Sequence, residues 1–210
     1  ASVAAIENVS PMGCRTCHDI HTTYTGEDYS LTGGEKPTKM EYTAGTFDKG
    51  AGNLCVECHQ IRNAKPTVTD GKINVTSTRF GTHYGTQAQM LLGEGGLGGV
   101  AGSPSVHYTT VADSCVSCHM GSDFNHTMDP GVLNMNVSPN QVVRCVGCHT
   151  GLTTLDRNGV QTDVQAMLVT AKAALVKAGI MNEADELSKV GTYPEVVANA
   201  FWNYKNVSHE

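Results

Sequence analysis

The chain is poor in the side chains that usually build a hydrophobic core. Only 6% of its 210 residues are aromatic, with four Phe and one Trp, whereas 23 residues are glycine. A chain of this composition buries too little apolar surface to offset the conformational entropy that folding removes. We therefore expect something other than the polypeptide to complete the core.

Other features that the sequence lacks disfavour two kinds of partner. The 14 Lys and Arg residues are outnumbered by 20 Asp and Glu, with no basic patch, so nucleic-acid binding is not expected. No apolar run approaches the roughly 18 residues that a membrane-spanning helix needs.

The first residues, "ASVAAIENV", have neither the charged region nor the apolar region of a signal peptide. We therefore expect a mature, exported protein whose leader has been removed.

What the chain does have is eight cysteines in four CxxC pairs, each followed directly by histidine. Chance would give roughly 0.01 CxxCH motifs in a chain of this composition. In a CxxCH, two thiols form thioethers with one edge of a haem and the histidine binds the iron from the same side. We predict four covalently bound c-type haems, whose apolar faces would supply the missing core. The motifs are Cys14, Cys17 and His18; Cys55, Cys58 and His59; Cys115, Cys118 and His119; and Cys145, Cys148 and His149.

Two other interpretations of the cysteines are weaker. Zinc or iron–sulfur sites would join pair 14/17 to pair 55/58 and pair 115/118 to pair 145/148. Such four-cysteine sites do not require a histidine after every pair, yet all four pairs have one. A disulfide framework is weaker still, because a CxxC pair does not connect distant segments of a chain.

Five further histidines could supply the sixth ligands of four irons: His21, His83, His107, His126 and His209. The supply allows every iron to be bound by two histidines, with the penultimate His209 as the spare. His21 follows His18 by three residues and stays on the same side of that haem, so we expect it to bind a different haem, in this chain or in a neighbour. We expect His126, seven residues after His119, to cross to another haem for a similar reason.

The fold that these patterns predict is a single multihaem domain over residues 1–210. Residues 1–160 are rich in Gly, Thr, Ser, Asn and Pro, which predicts loops and turns wrapped around the haems, a short helix at each CxxCH and little or no sheet. The stretch "GEGGLGGVAG" at 93–102 predicts either a flexible loop or backbone lying close to a haem.

Residues 161–207 are expected to be helical and to pack on the haem-bearing region or on a partner. Apolar spacing predicts a first helix with Thr162 as N-cap and Gly179 just beyond its end. A second short helix is predicted at "NEADELSK", ending at Gly191. A third is predicted to begin at Pro194.

Four stretches carry a resemblance to a known family: "THYGTQAQMLLGEGG" (82–96), "SPSVHYTTVADSCVSCHM" (103–120), "NHTM" (125–128) and "PEVVANAFWNYKNV" (194–207). With four CxxCH motifs, the chain resembles the extracellular tetrahaem c-type cytochromes of the OmcE type. In that group the histidines of H-x-G-x-Q-A, of the segment before CVxCHM and of the following HT pair are distal ligands. The resemblance therefore implies that His83, His107 and His126 are distal ligands here.

The resemblance also implies a function. Members of the group polymerise head to tail into conducting filaments, or nanowires, in which one subunit donates a histidine ligand to the next. We take His21 as the donor, with His209 second. Electron transfer is then expected, without enzymatic activity, to other cytochromes and extracellular acceptors at the cell surface. The alternatives are a soluble periplasmic tetrahaem shuttle, or a multihaem reductase, which would need an open iron position.

Overall fold

The computed structural model describes residues 12–21, 24–26, 28–43, 45–82, 85–99, 102–121 and 144–208, together with residues 124, 126 and 128. Its helices and strands are, in chain order, α1 (Cys14–Cys17), β1 (Thr38–Lys39), β2 (Thr46–Phe47), α2 (Gly52–Val56), β3 (Val68–Thr69), β4 (Lys72–Val75), α3 (Gln87–Leu92), α4 (Val106–Thr110), α5 (Cys115–His119), a 3₁₀ turn (Arg157–Gly159), α6 (Val160–Lys177), β5 (Gly191–Pro194) and α7 (Glu195–Ser208).

Short helices lie at three of the four CxxCH motifs: α1 contains both cysteines of the first, α5 spans the third, and α2 ends at Val56, just after the first cysteine of the second. The fourth motif lies in turns, where the His149 amide donates to the Cys145 carbonyl at 2.8 Å. The amides of His18 and His59 bond the first cysteine of their own motifs in the same way, each at 2.9 Å. This helical turn presents both cysteines and the histidine of a motif from one local unit.

Two small antiparallel sheets are present, although we expected little or no sheet. β1 pairs with β2, and β4 lies between β3 and β5. In β4 the buried Ile73 and Val75 alternate with the exposed Lys72 and Asn74. Four residues are too few for this two-residue period to stand out in a sequence rich in threonine and glycine.

The largest apolar cluster lies where α6, α7 and the three-stranded sheet meet. Its buried members are Ile73, Val75, Leu175, Ile180, Met181, Leu187, Tyr193, Ala198, Phe201 and Tyr204. The neighbouring Trp202 is 1% exposed and packs with Ile61 and Leu97, while its Nε1 donates to the Gly95 carbonyl at 2.9 Å. Helix α7 is therefore anchored to the part of the chain around the second CxxCH motif.

For the first C-terminal helix, the predicted start is wrong and the predicted stop is confirmed. Helix α6 begins at Val160, so Thr162 is not its N-cap. Instead Asp156 accepts the Gln161 amide at 2.8 Å, and the Thr162 hydroxyl donates to the same carboxylate at 2.5 Å. This bond from Thr162 lowers the pKa of Asp156. The predicted stop is confirmed, because Gly179 follows the Ala178 cap in the left-handed conformation with φ +75°.

The prediction of a helix at "NEADELSK" is wrong. Residues 182–189 form turns closed by a bridge between Met181 and Leu187. The Asn182 side chain accepts the amides of Ala184 and Glu186, both at 2.9 Å, and so competes with the helical bonds of this segment. The third helix, α7, begins at Glu195, one residue after the predicted Pro194.

The glycine-rich stretch that begins at Gly93 lies close to α7. A Cβ added to Gly98 would be 2.5 Å from the Asn199 amide nitrogen, and one added to Gly95 would be 2.8 Å from the Ile61 side chain. Both glycines also have positive φ, which other residues rarely adopt. At Gly95 and Gly98 the backbone thus lies close to packed side chains of the protein. Whether this stretch also lies close to a haem stays a prediction.

Removing the Trp202 ring should destabilise the fold strongly. We expect Trp202→Ala to lower the free energy of unfolding by about 3–5 kcal/mol, because a fully buried ring is replaced by a cavity. Trp202→Phe should cost about 1–3 kcal/mol, since it keeps most of the apolar volume but leaves the Gly95 carbonyl without its donor. Denaturant unfolding of the haem-loaded protein measures both, with Val169→Ala on the exposed side of α6 as the control. An unchanged midpoint for Trp202→Ala would contradict the packing described.

Candidate haem-iron centres

Two histidines that do not belong to a CxxCH motif each have their ring close to the ring of a motif histidine. The ring centroids of His18 and His126 are 5.9 Å apart with an interplanar angle of 41°, and those of His107 and His149 are also 5.9 Å apart, at 86°. Two imidazoles on opposite sides of one metal ion have centroids about 6.3 Å apart, from metal–nitrogen bonds of about 2.0 Å and about 1.1 Å from nitrogen to centroid. Each pair thus has the spacing of a bis-histidine iron site, for which any interplanar angle is allowed.

Both pairs connect different attachment motifs. His126 follows the third motif along the chain but faces His18 of the first. His107, in α4, precedes the third motif but faces His149 of the fourth. The segment around the third motif would thus supply distal ligands to the first and fourth haems, the kind of crossing that we predict for His126.

Three of the four motif histidines are oriented by a hydrogen bond at Nδ1. The acceptors are the carbonyl oxygen of Tyr29 for His18 (2.7 Å), the carbonyl oxygen of Met128 for His119 (3.0 Å) and the side-chain Oε1 of Gln87 for His59 (3.1 Å). Since these oxygens only accept, each Nδ1 carries the hydrogen and each Nε2 keeps its lone pair. That tautomer is the one a metal-binding imidazole requires.

The second and third attachment helices pack directly on each other. A Cβ on Gly52 of α2 would lie 2.7 Å from the Asp113 carbonyl just before α5, so this contact needs a glycine. The thiols of Cys55 and Cys115 are hydrogen-bonded, which lowers the pKa of Cys115 to about 6 and raises that of Cys55. The second and third attachment motifs are therefore in contact.

Arg144 links the third and fourth motifs. It directly precedes Cys145, and its Nη1 donates to the carbonyl oxygen of Cys118 at 3.0 Å. The third and fourth motifs are therefore in contact.

Apolar side chains are exposed in and beside the segments that carry the motifs and the paired histidines. Tyr24 is 81% exposed and Phe124 is 62% exposed, for example. Exposed apolar side chains also occur elsewhere, such as Met167 and Val169 on α6, and single ones are normal on a protein surface. A macrocycle at each motif would cover those near it, but their exposure alone does not mark a haem site. The set is Met12, Tyr24, Tyr29, Val106, Phe124, Met128 and Val146.

The eight cysteines, all of which are described, are free thiols in the structure. Among the residues that the structure describes, no group of three or more His, Cys, Asp and Glu side chains is placed to hold a metal ion.

His21 is the one other predicted ligand among the described residues, and it has no ring contact with a motif histidine there. The side chain of His21 is 54% exposed, with its Nδ1 3.8 Å from an Asp28 carboxylate oxygen and its ring stacked 5.6 Å from that of Tyr24. His83 and His209 lie outside the described residues. Within the described part, His59 and His119 contact no other histidine ring, so the predicted distal ligands of their haems stay predictions.

Sequence reasoning did not identify the acceptors at Nδ1. Two of them are main-chain carbonyls, which leave no trace in residue type. The third, Gln87, is the glutamine of the H-x-G-x-Q-A stretch and could have been singled out from it.

Comparison of the chain with protein-family models, with curated proteins and with solved structures gave no match. Within the described residues, no helix combines the length and apolar character needed to cross a membrane.

Each paired distal histidine should be needed at one iron only. We expect His126→Ala and His107→Ala each to convert one of four low-spin haems to a high-spin or water-bound form, and the double variant to convert two. Electron paramagnetic resonance of the ferric protein measures the high-spin fraction, and added imidazole should reverse the change. The pairings would be wrong if the double variant had no more high-spin haem than either single variant.

Proposed function

We propose that the protein transfers electrons through four covalently attached c-type haems, each bound by two histidines, and that it has no enzymatic activity. The observation that carries the proposal is the 5.9 Å spacing in both the His18–His126 and the His107–His149 pair. Each haem, when bound, would supply a one-electron iron couple, at low potential where both axial ligands are histidine.

The residues of the chain then have a defined task. His18 and His126 come from segments more than a hundred residues apart and would hold an iron between them, as His107 and His149 would at the fourth motif. Two imidazoles per iron leave no position for water or a substrate. The bond from His18 Nδ1 to the Tyr29 carbonyl keeps its ring in the binding orientation. An environment that changes little with oxidation state favours electron transfer over substrate chemistry.

Adjacency of the attachment sites supports transfer between centres. A Cβ on Gly52 of α2 would lie 2.7 Å from the Asp113 carbonyl just before the third motif, and Arg144, just before the fourth motif, donates to the Cys118 carbonyl at 3.0 Å. Neighbouring anchors bring the covalent edges of successive macrocycles close together. Close edges are what rapid electron exchange between fixed centres needs.

We also propose that the protein is exported to the cell surface as the subunit of a conducting filament that passes respiratory electrons to other cytochromes and extracellular acceptors. The family resemblance and the exposed side chain of His21 support this proposal. A histidine that projects from one subunit can bind an iron of the next. Because such a contact joins different surfaces of the two subunits, it generates an open helical assembly. His209 is the second candidate for this ligand.

Two other functions compete with this one. A periplasmic tetrahaem shuttle would use the same ligands without polymerising. A multihaem reductase would need at least one open iron position with acid or base groups beside it. The histidine pairs at the first and fourth motifs favour closed sites and therefore electron transfer.

Haem content and ligand saturation test the electron-transfer proposal. We expect the intact mass of the purified protein to include four haems, and the ferric protein to have a fully low-spin spectrum. The reduced protein should bind no carbon monoxide, since two histidines close each iron. A haem that binds carbon monoxide rapidly in the native protein would favour the reductase instead.

Electron microscopy of protein sheared from the cell surface separates the filament from the shuttle. We expect uniform filaments with a short axial repeat, and we expect His21→Met to weaken or abolish them. Lys36→Met, a change of an exposed side chain between the first motif and β1, is the control. Monomer-sized particles in the native preparation would favour the shuttle, and intact filaments in His21→Met would exclude His21 as the shared ligand.

A further inference from the structure

We infer that Gln87 is a positioning residue for His59 and that its side-chain oxygen sets the reduction potential of the haem attached at Cys55 and Cys58. The inference rests on the proposed function, because it assigns a role to one residue at one of the proposed haem sites. Gln87 has no place in the ligand set expected from the sequence.

The geometry begins with two contacts between the start of α3 and the second motif. Gln87 Oε1 lies 3.1 Å from His59 Nδ1, and the amide of the next residue, Ala88, donates to the His59 carbonyl at 3.1 Å. The side chain and the backbone of His59 are thus held by consecutive residues. A displacement of the imidazole would break the contact with Gln87, while the bond from Ala88 keeps the backbone of His59 in place.

A second glutamine fixes the same segment in place. Gln89 is fully buried, and its Oε1 accepts the Ile61 amide at 2.9 Å. On the other side of Gln87, a Cβ on Gly85 would lie 3.3 Å from the Cys58 carbonyl, so the two segments pack closely there too. These contacts fix the backbone of Gln87 independently of its own side chain. The amide group of Gln87 is therefore available for the contact with His59.

His59 differs from the other oriented motif histidines in the kind of acceptor that it uses. His18 and His119 bond main-chain carbonyls, which a side-chain substitution leaves in place. His59 bonds a side-chain amide, whose oxygen must face the ring. If the amide nitrogen faced it instead, Nδ1 would accept, and the hydrogen would move to Nε2 and block iron binding.

The acceptor should influence the iron through the imidazole. A hydrogen bond from Nδ1–H makes the ring a stronger electron donor at Nε2 and stabilises the ferric state relative to the ferrous state. A carboxylate in place of the amide strengthens this effect, and an apolar side chain removes it. The reduction potential of this haem therefore depends on the residue at position 87.

The test is a spectroelectrochemical titration of the haem-loaded protein and two variants. We expect one of four components to move most, to higher potential in Gln87→Leu and to lower potential in Gln87→Glu, with smaller shifts of neighbouring components from the added charge in Gln87→Glu. A tenfold change in the ratio of ferric to ferrous affinity corresponds to about 59 mV for one electron, and we expect shifts of at least this size. Gln165→Glu, which adds the same charge on an exposed side of α6, should leave all four components in place.

Opposite shifts would support the inference, because general damage to the fold would not change sign with the substituent. Titrations that match the wild type, or shifts in the same direction for both variants, would overturn it. If Gln87→Leu lost a haem, the Gln87→Glu titration would decide, since the carboxylate keeps an acceptor at Nδ1. The mass of each sample shows how many haems are attached. A protein without haem would contradict the proposed function, whereas a protein with four haems and unchanged reduction potentials would contradict only the role of Gln87.

Discussion

An iron bound by two histidines requires imidazoles on opposite faces of the macrocycle, and a CxxCH motif supplies only one of them. The second must come from a segment that approaches from the other side. In this chain the segment around the third motif would supply the second imidazole at two sites, because His107 lies beside His149 and His126 lies beside His18. If these pairs hold irons, the path of the chain between motifs is decided largely by ligand geometry.

The same constraint would explain how a chain with so few aromatic residues can fold. The largest apolar cluster of the described part lies between α6, α7 and the three-stranded sheet, and Trp202 joins α7 to the second motif. A smaller cluster of Met40, Phe47, Val56 and Ala88 packs on Cys115, between the second and third motifs. The apolar core that the protein builds itself thus reaches the attachment motifs, and the proposed haems would extend it.

Much of the candidate site was readable from the sequence because the chemistry of haem attachment is local. Cys14, Cys17 and His18 lie in one helical turn that is closed by a local hydrogen bond, so the attachment motif can be recognised from adjacent residues alone. The pairing of His107 with His149 could not be read, since it depends on the path of more than forty residues without strong periodicity. Gly179 was a correct helix stop because its conformation is local, whereas the Asn182 side chain redirected a segment that helix propensity alone favoured.

The most direct test of the account is to locate the four irons in a structure of the haem-loaded protein, by anomalous diffraction or a cryo-electron microscopy map. The account predicts one iron between the rings of His18 and His126 and another between those of His107 and His149. It would be contradicted if the iron bound by His18, or the one bound by His149, had any other residue as its second axial ligand.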